Sequence, residues 1–75
     1  MEFYEKSLAI AKRLGDRSGI AFTSANMAVL AYKQRNFGLA IRYMEKARDI
    51  FRSLGSPMAK RAEKRLRIYR REAGR

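Results

Sequence analysis

Between Gly19 and Tyr32 the chain reads GIAFTSANMAVLAY, and ten of these fourteen residues are apolar. Only Thr23, Ser24 and Asn26 carry polar side chains. Set on a helix at ~100° per residue, Ile20, Ala21, Phe22, Ala25, Met27, Val29, Leu30 and Tyr32 point in nearly every direction. A helix that is apolar all round needs neighbours on several sides. The stretch is shorter than the ~20 residues of a membrane span, and basic segments flank it. The pattern predicts a central helix packed between others. Ala21, Ala25, Ala28 and Ala31 recur every three or four residues, a smooth strip where another backbone can approach closely.

Three further helices are expected around it. Residues 2–14 carry Phe3, Tyr4, Ser7, Leu8, Ile10, Ala11 and Leu14 at helical spacings, a wide stripe for packing. Gly15 follows Lys12 and Arg13, the pattern of a left-handed glycine closing a helix with cations at its carbonyl end. Asp16 or Ser18 can cap the next helix, expected over 18–35. Asn36 can cap a third, over 37–54, whose packing face is Phe37, Ala40, Ile41, Met44, Ala47, Ile50, Phe51 and Leu54. Gly55 ends it, and Ser56-Pro57 starts a fourth over 57–73. That last helix should bury Met58, Ala62, Leu66, Tyr69 and Ala73 on a narrow stripe, with Ile68 off it. The fold class expected is all-α, one 75-residue domain of antiparallel hairpins. A chain of this length buries only ~60–65% of its unfolded surface, so its stability should be modest.

The same positions reveal an internal repeat. FYEKSLAIAKRLGD, Phe3 to Asp16, aligns without gaps on YMEKARDIFRSLGS, Tyr43 to Ser56, at an offset of 40. Glu5/Glu45, Lys6/Lys46, Ile10/Ile50, Leu14/Leu54 and Gly15/Gly55 are identical, and both segments end in the same Leu-Gly turn.

Here the sequence resembles the tetratricopeptide repeat family in its longer form of about 40 residues. The resemblance rests on NMAVLAYKQRNFGLAIRYMEKA, Asn26 to Ala47. In the family pattern Met27 and Ala28 take the large-then-small pair of a first helix. Phe37, Ala40, Met44 and Ala47 take the aromatic, small, large and small positions of a second. Arg35-Asn36 stands where the family usually has Gly-Asp. Ser24 replaces a bulky first-helix residue, and Ala31 precedes Tyr32 where the tyrosine usually falls. The resemblance implies a short right-handed superhelix. Residues 1–15 would be the second helix of a partial repeat, 16–55 a complete repeat, and 56–75 a basic capping helix. The first of these lacks its own partner, which would leave Tyr4, Leu8 and Ala11 exposed. That implies self-association into a dimer or higher oligomer, or missing upstream sequence.

Charge narrows the partners. Eighteen Lys and Arg against seven Asp and Glu leave a formal +11. Met58 to Arg75 holds eight basic residues and two acids, +6 of the excess. Such a field favours acidic proteins, nucleic acid or anionic lipid. Membrane insertion is not expected, and a membrane-surface role ranks third because the last helix has a narrow apolar stripe.

Catalytic chemistry is not expected. There is no histidine and no cysteine, so the usual bases, nucleophiles and zinc ligands are missing and neither cofactor nor metal is implied. Glu45 and Asp49 lie four apart, but Arg42, Lys46, Arg48 and Arg52 surround them. The segment GDRSG lacks the GxxxxGK[ST] pattern and reads as a turn and cap. The absence of cysteine and of a basic-then-apolar leader fits a cytoplasmic protein.

Two binding surfaces remain. By the resemblance, Phe22, Asn26, Val29 and Lys33 would face a peptide groove, with Arg61 and Arg65 beside it. Some relatives hold a peptide's terminal carboxylate with an asparagine at the place of Asn26; Leu66 at the matching place of the next helix leaves that clamp incomplete here. The expected function is a protein-interaction scaffold for a protein or peptide partner, acidic in character. The alternative is sequence-indifferent nucleic-acid binding through Lys60, Lys64, Arg67, Arg70 and Arg71, with Ile68 and Tyr69 interleaved.

Overall fold

Three turns of one construction join four helices. The computed structural model describes residues 2–75, and the helices are α1 (Glu2–Arg13), α2 (Arg17–Lys33), α3 (Phe37–Ser53) and α4 (Met58–Ala73). Each turn places one residue in the left-handed region: Gly15 at φ 68°, Arg35 at 62° and Gly55 at 67°. The residue after it donates its N–H back across the helix end, Asp16 to Ala11, Asn36 to Ala31 and Ser56 to Phe51, each at 2.9 Å. Those bonds satisfy carbonyls that a helix end leaves open. In the first two turns the same residue then caps the next helix, and in the third Ser56 lies one residue before the cap position, Pro57. Asp16 accepts from the Gly19 N–H at 2.8 Å, Asn36 from Leu39 at 3.3 Å, and the Ser56 hydroxyl from Met58 at 3.2 Å. The turns recur every 20 residues, half the repeat expected from the sequence.

These sharp turns make α2 and α3 an antiparallel hairpin, with α1 on one side of α2 and α4 packed on α3. The closeness comes from alanine. Ala21, Ala28, Ala31, Ala40 and Ala47 are fully buried, and Met27, Met44, Phe51, Leu66 and Tyr69 fill the space between. Arg17 Nη2 donates to the Ser53 hydroxyl at 2.7 Å, tying the start of α2 to the end of α3. Arg52–Glu63 and Arg70–Glu45 ion pairs bridge α3 to α4. All four partners are well exposed, so each pair contributes at most ~1 kcal/mol.

Four expectations are corrected. On α1 and the turn after it the large exposed apolar residues are Phe3, Ile10 and Leu14, while Tyr4 and Leu8 are half-buried and Ala11 is buried. The stripe is too wide for the single neighbour α2, which covers only its Tyr4–Leu8–Ala11 side. On α4, Ala62, Leu66 and Tyr69 are buried, but Met58 is half-buried and Ala73 is exposed on the last turn. On α3, Leu54 reaches the open turn and is 45% exposed. The all-round apolar helix α2 is not covered on every side: Phe22 is 46% exposed, and Asn26 is exposed with it. That open edge is where a cleft forms.

Candidate functional site

The cleft runs between α2 and α4 with α3 as its floor. Phe22, Ala25, Asn26 and Val29 form one wall, Met58, Arg61, Ala62 and Arg65 the other, and Met44 and Phe51 the base. Small residues create it, because Ala25 and Ala62 leave space that larger side chains would fill. Phe22 is fixed by an edge-to-face contact with Phe51, ring centroids 4.9 Å apart and planes at 74°. Its other face stays open to water. At the far end Tyr32 of α2 stacks on Tyr69 of α4 at 4.7 Å, joining the two walls.

The arrangement is an apolar trough with cations on one rim. Arg61 and Arg65 are exposed and make no ion pair among the described residues. Asn26 is also exposed and makes no side-chain hydrogen bond among the described residues. Burial pushes the Tyr69 phenol above its ordinary range, with the nearby Arg65 guanidinium pulling the other way.

Five of the six residues expected from the sequence, Phe22, Asn26, Val29, Arg61 and Arg65, line this one cleft. Lys33 does not. It lies with Tyr4, Asn26, Val29 and Leu30 in a separate crevice between α1 and α2, because it sits two turns further along α2 than Asn26. Met44, Phe51 and Met58 were assigned to packing by their helical spacing. They line the cleft as well, since its floor is the same surface that forms the core. Periodicity marks a residue as inward-facing without distinguishing a covered contact from an open one.

The basic patch also divides. Lys60, Lys64, Arg67 and Arg71 recur along the outer side of α4, all exposed. Arg70 leaves that set, donating to Glu45 at 3.0 Å on the α3 side. Glu45 and Asp49 are likewise taken by cations, Asp49 by Arg48 at 2.9 Å. Among the described residues no cluster of three or more His, Cys, Asp or Glu is placed to hold a metal ion. No described helix is long and apolar enough to cross a membrane.

Comparison with family models matches residues 2–53 to the model described as Tetratricopeptide repeat. The chain belongs to the tetratricopeptide repeat family. That match spans α1, α2 and α3, and such repeats mediate protein–protein interaction in general. No curated protein and no solved structure matches the chain.

Proposed function

We propose that this tetratricopeptide repeat chain is a scaffold that holds an acidic peptide segment in the α2–α4 cleft. One observation carries the reading: an apolar trough, floored by Met44 and Phe51, opens beside two guanidinium groups, Arg61 and Arg65, that form no ion pair among the described residues. An aliphatic or aromatic side chain would enter the trough against Phe22. A carboxylate one or two residues away would reach Arg61 or Arg65, in the charge-assisted geometry that arginine suits. Asn26 would hold the peptide backbone from the opposite wall. Nothing in this reading requires bond chemistry.

The role of α4 follows from the 40-residue offset. In α2 the positions Ala21, Ser24, Ala28 and Ala31 are fully buried against the hairpin. Forty residues on stand Arg61, Lys64, Ile68 and Arg71. Three of the four carry long cations where α2 has small residues, which disfavours close packing of another helix there, in keeping with α4 as a capping helix with a solvated face.

The test is fluorescence anisotropy with labelled acidic peptides carrying one hydrophobic anchor, at low and high salt. Binding should be 1:1, weaken about tenfold in Arg65→Glu, and keep an apolar component at high salt. Unchanged affinity in both Arg65→Glu and Asn26→Ala would remove the reading. A second reading rests on the Lys60–Lys64–Arg67–Arg71 stripe, which would track a phosphate backbone without sequence preference. Affinity for duplex DNA or RNA weaker than ~100 µM at 0.15 M salt would exclude it. Self-association, also expected from the sequence, would use a different surface, the outer side of α1.

A further inference from the structure

We propose that two copies of the chain pair through the outer face of α1, with the two helices antiparallel. Phe3, Ile10 and Leu14 are spaced by seven and four residues, which places them on one stripe. They are 74%, 56% and 77% exposed. The repeat shows what such a stripe is for. Forty residues on stand Tyr43, Ile50 and Leu54, and there Tyr43 and Ile50 pack against the core while Leu54 stays 45% exposed. The α1 stripe is therefore a packing surface of the same kind, and no other described element covers it.

Charge selects the occupant. The acids of α1, Glu2 and Glu5, lie in its first turn, and Lys12 and Arg13 lie in its last. A second α1 laid antiparallel sets Phe3 against Leu14 of the other copy, brings the two Ile10 side chains near the axis, and places Glu2 beside Arg13. Parallel pairing would set like charges together. The alternative surface on a second copy, the outer side of α4, offers Lys64 and Arg71 to an apolar stripe and is the wrong chemistry. An isologous contact also closes on itself, so association stops at the dimer.

The stripe presents roughly 300–400 Å² of apolar side chain per copy, a patch of functional size but less than a stable interface buries. The dimer is accordingly weak, with Kd on the order of 10–500 µM. Each copy carries +11, so pairing strengthens as salt screens the mutual repulsion. That salt response is opposite in sign to binding of an acidic partner.

Sedimentation equilibrium of the full chain from ~10 µM to ~1 mM tests the proposal, a range set to bracket that affinity. The wild type should rise from 8.7 kDa toward twice that mass, more so at 0.5 M than at ~0.05 M salt. Ile10→Glu should stay monomeric with unchanged helical circular dichroism, and Ile68→Glu on α4 should still dimerise. Orientation is read by cysteine pairing, since the chain has no cysteine of its own. Mixed Phe3→Cys and Leu14→Cys chains should oxidise to the mixed disulfide in excess of either homodimer. A wild type that stays monomeric throughout, or an Ile10→Glu chain that associates equally well, overturns the proposal. An excess of homodimeric disulfides overturns the antiparallel pairing.

Discussion

Tyr32 and Tyr69 stack with their planes 21° apart, and the contact is the one aromatic bridge between α2 and α4 among the described residues. Tyr69 is 2% exposed, and its hydroxyl has no hydrogen-bond partner among the described residues. The ring thus supplies the packing, while the hydroxyl is desolvated with only the Arg65 guanidinium nearby to offset it. An unpaired buried hydroxyl costs ~1–3 kcal/mol, so its removal should not destabilise the fold. Tyr69→Phe is expected to leave stability unchanged or raise it by ~1 kcal/mol, whereas Tyr69→Ala should cost ~3–5 kcal/mol. Urea unfolding of the two variants measures both.

Alkaline pH should act through the same group. Burial raises the folded-state pKa of Tyr69 above its unfolded value. The folded chain therefore holds this proton more tightly than the unfolded chain does. Its contribution is fully present below pH ~10 and is lost as pH rises from there through the folded pKa. Stability should fall above pH ~10, and Tyr69→Phe should flatten that decline. An identical pH profile in the variant would show that Tyr69 does not carry it.

The three turns predict opposite effects of substitutions that look alike. Gly15 and Gly55 hold left-handed backbone at no steric cost, but Arg35 adopts φ 62° with a side chain attached. Gly55→Ala should destabilise by ~1 kcal/mol. Arg35→Gly should gain up to ~1 kcal/mol, reduced by the greater freedom of glycine in the unfolded chain. Losing the Arg35 guanidinium from over the Phe37 ring, 5.7 Å from its centroid, also reduces the gain. Thermal unfolding of both variants checks the signs.

Ser24 is the second orphan. It is fully buried in α2, and its hydroxyl also lacks a partner among the described residues. Ser24→Ala keeps the close helix approach and removes the unpaired group. It should stabilise by ~1 kcal/mol in urea unfolding, and a loss of stability would reveal a hydrogen bond formed in solution.

The sequence made the fold readable because each level pointed the same way. Gly15 and Gly55 follow cationic helix ends, Asp16 and Asn36 precede apolar periodic runs, and the 40-residue offset relates α1 to α3. The site was readable only in part. The cleft wall on α2 followed from the family register, but its floor did not, because Phe51 and Met44 have the spacing of ordinary core residues. Lys33 lines a different crevice and Arg70 pairs with Glu45 for a related reason. A helical wheel gives a residue's direction but not the length of the neighbouring helix or the ion pair that claims the side chain. Arg70 turned to Glu45 on another helix, a contact 25 residues away that no local pattern encodes. The stripe on α1 is apolar on two sides, and only the partner α2 decides which side is covered.

Amide chemical-shift mapping, with an acidic peptide bearing one hydrophobic anchor titrated into labelled chain, tests the central claim most directly. Shifts are predicted to cluster on Phe22, Ala25, Asn26 and Val29 of one wall and Arg61, Ala62 and Arg65 of the other. Shifts confined to Lys60, Lys64, Arg67 and Arg71, with the cleft silent, would contradict it.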